Sequence, residues 1–113
     1  MVKSDALRKR YVLFEYKGPA LDSEQLKKSF QMEALKFFGE LGMSYAAIKL
    51  VQYDPTTKLG ILRCERDYLD KVCGFLALIN SLDGTDARLI SRKSSGTIKS
   101  LDQPNLNKQK THR

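Results

Sequence analysis

Few residues in this chain could carry out covalent chemistry. His112 is the only histidine, and the two cysteines, Cys64 and Cys73, lie in apolar surroundings. A nucleophilic pair or a zinc site therefore lacks the residues that its chemistry requires. The acidic residues are spaced as helix caps and solvated helix faces, and the sequence has no glycine-rich phosphate loop. We expect no catalytic residue, metal site or bound cofactor in the chain, and we interpret the cysteines as core residues of a reduced, cytoplasmic protein.

The basic residues suit a different chemistry, the binding of phosphate groups. The chain of 113 residues has a net charge of +7 and an isoelectric point of about 9.5. The excess lies at both ends, with +3 over residues 1–20, −1 over residues 21–90 and +5 over residues 91–113. Basic segments on both sides of a neutral domain favour RNA binding, and solubility is the alternative explanation. The longest apolar run, residues 72–79, is too short to cross a membrane.

The most specific local feature is the basic segment from Arg92 to Lys99. Small residues that open a helix leave backbone N–H groups free, and flanking cations add positive charge, which together suit a phosphate. A second basic cluster precedes the first predicted strand. We predict RNA binding by both clusters, and a plain helix cap with solvated lysines is the alternative. The predicted RNA-binding residues are Arg8, Lys9, Arg10, Arg92, Lys93, Ser95, Gly96, Thr97 and Lys99.

Hydrophobic patterning predicts the elements that position these residues. Strands are predicted over residues 10–17, 46–53, 59–65 and 87–92, and helices over residues 22–41, 67–82 and 98–101. Asp22 and Gln25 form a capping box for the first helix, Gly42 is its C′ residue, and Asp67 caps the second helix. The apolar stripe predicted on the first helix consists of Leu26, Phe30, Ala34, Phe37 and Leu41.

The order strand–helix–strand–strand–helix–strand is that of the ferredoxin-like, split βαβ fold. We predict an α+β protein with a four-stranded antiparallel sheet, two helices on one face and a short C-terminal helix. Residues 1–101 form one RNA-binding domain, and residues 102–113 form a basic tail that we expect to be disordered because it is almost free of apolar residues. In this topology the first and last strands are antiparallel neighbours, so the two basic clusters should meet.

Alternation along the strands assigns one face of the sheet to the helices and leaves the other face open. The open face mixes aliphatic and aromatic residues with cations, among them Tyr11, Lys49 and Arg63. The second helix carries an additional apolar stripe. Water does not require such surfaces, so we expect a protein partner to cover them. The predicted interface residues are Leu13, Val51, Tyr53, Ile61, Phe75, Leu78, Ile79 and Leu82.

The RNA-recognition motif has the same topology and stacks bases on aromatic residues of its first and third strands. The third strand here, residues 59–65, contains no aromatic residue. Stacking of bases on the sheet is therefore less favoured than coverage by a protein.

Four segments in order carry a family resemblance: RYVLFE at residues 10–15, FGELGMS at 38–44, GILRC at 60–64 and SGTIK at 95–99. With Tyr68 and Val72 they cover residues 8–101 and resemble the ribonuclease P protein component 2 family, the small basic subunit of archaeal ribonuclease P with a eukaryotic nuclear relative. Lys99 stands where arginine is common in that family, which keeps the charge but loses the bidentate phosphate geometry.

The resemblance implies a subunit of the endoribonuclease that removes the 5′ leader of precursor tRNA. In that family the RNA carries out the chemistry with Mg²⁺, and the protein binds and stabilises the RNA. It also implies ribonuclease P protein component 3 as a partner, and a homodimer within a two-plus-two assembly.

Two other functional classes remain open. A stand-alone RNA-binding module would bind RNA tightly as the pure chain. A ferredoxin-like regulatory domain would have a ligand pocket and little salt dependence.

Overall fold

The chain forms a strand–helix–strand–strand–helix–strand unit, with a small ribbon inserted before the last strand. A computed structural model describes residues 8–82 and 84–98. Its elements in chain order are β1 (Lys9–Lys17), α1 (Ser23–Ala46), β2 (Lys49–Asp54), β3 (Leu59–Glu65), α2 (Leu69–Leu78), β4 (Ser81–Leu82), β5 (Thr85–Asp86) and β6 (Arg88–Ser95). A 3₁₀ turn, Arg66–Tyr68, leads into α2.

The predicted ferredoxin-like arrangement is confirmed. β1, β2, β3 and β6 form an antiparallel sheet in the order β2–β3–β1–β6, and β4 pairs with β5 in a separate ribbon. β1 lies between β3 and β6, so the first and last strands of the unit are antiparallel neighbours. The two helices pack on one face of the sheet. We call the other face, which carries Tyr11, Leu13 and Glu15 of β1, the open face.

The core lies between the helices and the inner face of the sheet. Val12, Phe14 and Tyr16 alternate along β1 with partly exposed residues, as the two-residue period of a strand requires. The predicted inner face is confirmed, since all of its residues are buried. They are Val12, Phe14, Tyr16, Ile48, Leu50, Leu62, Cys64 and Leu89.

α1 begins as predicted but continues further. Asp22 Oδ1 accepts a hydrogen bond from the Gln25 N–H, and Gln25 Oε1 accepts one from the Asp22 N–H, which completes the capping box. The prediction that the helix ends near Leu41 with Gly42 as its C′ residue is wrong. The chain kinks at Gly39, with φ 76°, helix resumes after it, and the left-handed cap is Ala47, whose N–H donates a hydrogen bond to the Met43 carbonyl. This kink breaks the predicted apolar stripe, and Leu41 is 67% exposed.

α2 is shorter than predicted. It ends at Leu78 rather than near Leu82, because Ile79 is extended and the chain turns into the β4–β5 ribbon. The prediction that Asp67 caps this helix is also wrong. Asp67 lies in the 3₁₀ turn, and α2 begins after Tyr68 without a side-chain cap.

A bulge in β2 reverses one predicted side-chain direction. The register of β2 with β3 shifts between Leu50 and Gln52, so Tyr53 points inward. Tyr53 is 8% exposed, and its ring stacks against Phe14 with centroids 6.4 Å apart. The assignment of Tyr53 to the open face is therefore wrong, since strict alternation fails across a bulge.

Some predictions concern residues outside the part of the chain that the structure describes. They are the tail at residues 102–113, the side chain of Lys99 and all but the first residue of the helix at 98–101. Within the described residues, neither helix combines the length and apolar character that a membrane span needs.

Candidate nucleic-acid interface

The fold brings the two predicted basic clusters together. Antiparallel pairing sets Tyr11 of β1 opposite Ser95 of β6, so the start of one strand lies beside the end of the other. Arg10 reaches this junction, where its Nη1 lies 3.6 Å from the position that a Cβ on Gly96 would occupy. We call this region the strand-end patch. Its described residues are Arg8, Lys9, Arg10, Arg92, Lys93, Ser95, Gly96 and Thr97.

Carboxylates engage three cations of the strand-end patch, and two of these, Arg8 and Lys9, lie at the start of β1. Glu65 is the cross-strand partner of Lys9, and Lys9 Nζ lies 2.8 Å from Glu65 Oε2. Arg8 Nε lies 3.4 Å from Glu65 Oε1, and Arg8 Nη2 lies 3.8 Å from Asp67 Oδ2. These pairs reduce the net positive charge that Arg8 and Lys9 offer to a phosphate. Sequence reasoning missed them because they depend on the register of β1 with β3.

Arg92 is bound by Glu15 on the open face. The register of β1 with β6 shifts between Leu13 and Phe14, which leaves Arg92 in a bulge, and Arg92 Nη2 donates a hydrogen bond to Glu15 Oε1. This hydrogen bond is the largest cause that holds the pKa of Glu15 below its ordinary value of 4.5, and the nearby charges of Arg92 and Lys17 add to it. Arg92 was predicted as a phosphate contact, and the structure gives it a carboxylate partner within the chain.

Lys93 offers its charge more openly. It is exposed, it lies opposite Leu13 on the open face, and it has no ion pair within the described residues. Close by, Ser95 Oγ accepts a hydrogen bond of 3.3 Å from the Thr97 N–H, which turns the chain at Gly96. The helix start that would complete the predicted phosphate site lies outside the described residues apart from Ile98.

The cysteines are poor nucleophiles in this environment. Cys64 is fully buried, and burial is the main cause that raises the pKa of its thiol to about 11. Burial also raises the pKa of Cys73, which is partly exposed. Among residues 8–82 and 84–98, no group of three or more His, Cys, Asp or Glu side chains could hold a metal ion. His112 lies outside the described residues.

Three of the predicted interface residues have exposed surface. Leu13 and Val51 are partly exposed on strands of the sheet, and Leu78 on α2 is 67% exposed. Ile61 faces the open side beside Leu13, but its neighbours leave it only 1% exposed. These residues lie at two different surfaces of the molecule.

The prediction that the second helix carries an additional exposed apolar stripe is wrong. Phe75 is 3% exposed because its ring packs against Phe30 of α1, with centroids 5.8 Å apart. Ile79 and Leu82 are 6% and 1% exposed, because the early end of α2 turns both into the core. Phe75, Ile79 and Leu82 are therefore buried, as is Tyr53, and none of the four is an exposed interface residue.

An apolar groove between the helices is a surface that the sequence did not predict. Phe37 was placed in the core stripe but is 49% exposed, and its ring lies 5.2 Å from that of Phe75. The groove has a volume of about 660 Å³, and its walls include Phe38, Tyr68 and Leu78. It lies beside the C-terminal half of α1, which contains the kink at Gly39, and along α2, and the periodicity revealed neither the kink nor the early end of α2.

These features define the class of protein. The molecule is a ferredoxin-like α+β sandwich with a basic strand-end patch, an open sheet face and an apolar groove, which are surfaces suited to binding other macromolecules. The chain belongs to the Rpp14/Pop5 family, whose sequence profile matches residues 10–104. The resemblance to ribonuclease P protein component 2 is thereby confirmed.

Relatives named ribonuclease P protein component 2 match most of the chain. The protein of Pyrococcus furiosus is 33% identical over 95 residues, which are 83% of this chain and 79% of the relative. That of Methanocaldococcus jannaschii is 35% identical over 97 residues, 81% of this chain and 68% of the relative. A chain of yeast ribonuclease MRP, solved by cryo-EM, has a TM-score of 0.65 at 12% identity and is similar over 91% of this chain and 95% of its own length. At that identity the likeness concerns the fold alone.

Proposed function

We propose that this chain is a protein subunit of the ribonuclease P ribonucleoprotein, and that it binds and stabilises the catalytic RNA during 5′ maturation of precursor tRNA. The observation that carries the proposal is the family match over residues 10–104, with relatives named ribonuclease P protein component 2. The strand-end patch supports it, because cations from both ends of the chain converge where RNA phosphates could bind.

The chemistry of cleavage belongs to the RNA in this proposal. The protein contributes binding and charge, and Mg²⁺ acts on the RNA rather than in a site on this chain. The low reactivity expected of a thiol with a pKa of about 11 is consistent with that division. We propose a cytoplasmic location for the assembly.

Ribonuclease P protein component 3 and a second copy of this chain are the proposed protein partners, within a two-plus-two assembly. The exposed apolar residues of the helical layer support protein contacts, because a monomer seldom leaves such side chains together in water. They are Met32, Leu35, Phe37, Leu41, Tyr45 and Leu78.

Reconstitution tests the proposed function. The purified, RNA-free chain is expected not to cleave precursor tRNA, whereas its addition with component 3 to ribonuclease P RNA should lower the Mg²⁺ concentration that cleavage requires. The Mg²⁺ requirement falls because protein cations take over part of the charge neutralisation along the RNA. Cleavage by the RNA-free chain that one Asp or Glu substitution abolishes, or a Mg²⁺ requirement that the proteins leave unchanged, would contradict the proposal.

A further inference from the structure

A row of four side chains crosses the open face of the sheet. The register sets Lys49 of β2 opposite Arg63 of β3, Arg63 opposite Tyr11 of β1, and Tyr11 opposite Ser95 of β6. Directly opposed residues have their Cβ atoms about 5 Å apart, and three strand spacings make the row about 14 Å long. The row therefore links the far edge of the sheet to the strand-end patch at Ser95.

The two cations in this row lack a compensating charge. Like charges directly opposite each other on neighbouring strands destabilise a sheet, yet Lys49 and Arg63 are such a pair. Neither makes an ion pair within the described residues, and the Nε of half-buried Arg63 is buried without a hydrogen-bond partner. A buried donor without a partner costs stability and requires an explanation. An anion bound between Lys49 and Arg63 would offset the repulsion between the two cations and would accept a hydrogen bond from the Arg63 Nε–H.

The acidic residues nearby are engaged elsewhere. Glu65, two residues along β3 from Arg63, makes ion pairs with Arg8 and Lys9, and its Oε1 has no hydrogen-bond partner. Glu15, on the same face of β1, binds Arg92. No carboxylate within the described residues pairs with Lys49 or Arg63, which leaves the space between them open to an anion from another molecule.

Resting on the proposed function, we propose that Lys49 and Arg63 bind a phosphodiester of a single-stranded RNA segment, and that a neighbouring base stacks on Tyr11. This replaces the expectation that a protein covers this part of the open face. The guanidinium fork of arginine matches the oxygens of a phosphate, and a lysine beside it adds charge without demanding geometry. Tyr11 is partly exposed on the other side of Arg63, where an aromatic ring can stack with any base. The RNA segment then continues across the sheet to Ser95 and the strand-end patch.

Charge-removing variants test the row with a fluorescein-labelled single-stranded oligoribonucleotide. Binding to the full chain is measured by fluorescence anisotropy over a series of salt concentrations. The double variant Lys49→Gln with Arg63→Gln should bind more weakly, and the slope of log affinity against log salt should fall by about 0.7 to 1.4, since each single-strand phosphate contact contributes about 0.7. Tyr11→Leu should weaken binding about fivefold to a hundredfold without changing the slope.

The matched control is Lys27→Gln with Lys28→Gln, which removes the same charge from exposed positions of α1 on the other side of the molecule. It should leave the slope unchanged. Circular dichroism and the melting temperature verify that each variant folds, and Arg63→Lys should retain most of the slope because it keeps the charge.

Three outcomes would overturn the row as an RNA site. The first is unchanged affinity and slope in folded row variants while strand-end variants lose binding, which leaves the proposed function intact. The second is unchanged RNA binding with weaker binding of component 3, which makes the row a protein contact. The third is a wild-type chain that binds neither the oligonucleotide nor ribonuclease P RNA, which removes the proposed function as well.

Discussion

Gly60 lets two aromatic rings meet above the centre of the sheet. It pairs with Phe14 of β1 on one side and with Tyr53 of β2 on the other, and those rings are parallel to within 1°. A Cβ on Gly60 would lie 2.5 Å from Phe14 Cζ and 3.0 Å from the Gln52 backbone oxygen. The glycine is therefore required by the close approach of a ring rather than by backbone conformation.

Replacement of this glycine should weaken the fold. Gly60→Ala is expected to lower the free energy of unfolding by about 1–3 kcal/mol, because the methyl group overpacks the core against Phe14. Gly74→Ala is the control, since nothing lies within 4 Å of its Cβ position on α2, and it should raise stability by about 0.5–1 kcal/mol. Urea unfolding monitored by circular dichroism measures both. Equal stabilities of Gly60→Ala and wild type would contradict the packing argument.

Glu15 gives the fold a pH dependence of known sign. Its pKa is lower in the folded chain than its ordinary value of 4.5, chiefly because Arg92 donates a hydrogen bond to it. A carboxyl with a lowered pKa contributes stability above its unfolded pKa and loses it as pH falls through the folded pKa. Wild type should therefore unfold at higher urea than Glu15→Gln at pH 7, and the difference should shrink below pH about 4.5. A difference that stays constant across that range would contradict this role.

At the scale of elements, the hydrophobic pattern of the sequence predicted helices and strands correctly where capping and turn residues agreed with the periodicity. The capping box of Asp22 and Gln25 and the strand Leu59–Glu65 were predicted to the residue. The errors occur where tertiary structure changes the local geometry. The prediction placed the helix end at Gly42, whereas the kink lies at Gly39. The bulge before Tyr53 follows from pairing with β3, which no single strand encodes.

Features of the candidate site that depend on tertiary structure were likewise not predictable from the sequence. The meeting of the start of β1 with the end of β6 followed from topology alone and could be predicted. The pairing of Lys9 with Glu65 requires the β1–β3 register, and the unpartnered Nε of Arg63 requires knowledge of side-chain packing. Sequence reasoning therefore predicted which strands meet but not which charges are neutralised.

The early end of α2 separates two neighbouring residues that the sequence treated alike. Leu78→Glu is expected to change stability by less than about 0.5 kcal/mol, because the side chain is 67% exposed, and to weaken association with component 3 or with a second copy. Ile79→Glu should prevent folding, because it buries a charge at a position that is 6% exposed. Light scattering measures association, and circular dichroism measures folding. An assembly unaffected by Leu78→Glu would exclude this surface as the interface.

At the scale of the whole molecule, topology brings basic segments from distant parts of the chain to one end of the sheet. The excess charge lies in the first 20 and the last 23 residues, while residues 21–90 are nearly neutral. The antiparallel pairing of β1 with β6 joins the described parts of these segments at one end of the sheet. Arg10 lies beside Gly96 where the two strands meet, and Lys93 is exposed without an ion pair within the described residues, so these two positions are the ones to test.

The most direct test of the account is the salt dependence of binding to ribonuclease P RNA. The double variant Arg10→Ala with Lys93→Ala is compared with wild type and with the Lys27→Gln, Lys28→Gln control by anisotropy of the labelled RNA. The account predicts weaker binding and a salt slope lower by about 1.4 to 1.8, because each lost phosphate contact removes about 0.7 to 0.9. The control should retain both values. A folded Arg10→Ala, Lys93→Ala chain that binds ribonuclease P RNA with wild-type affinity and slope would contradict the account.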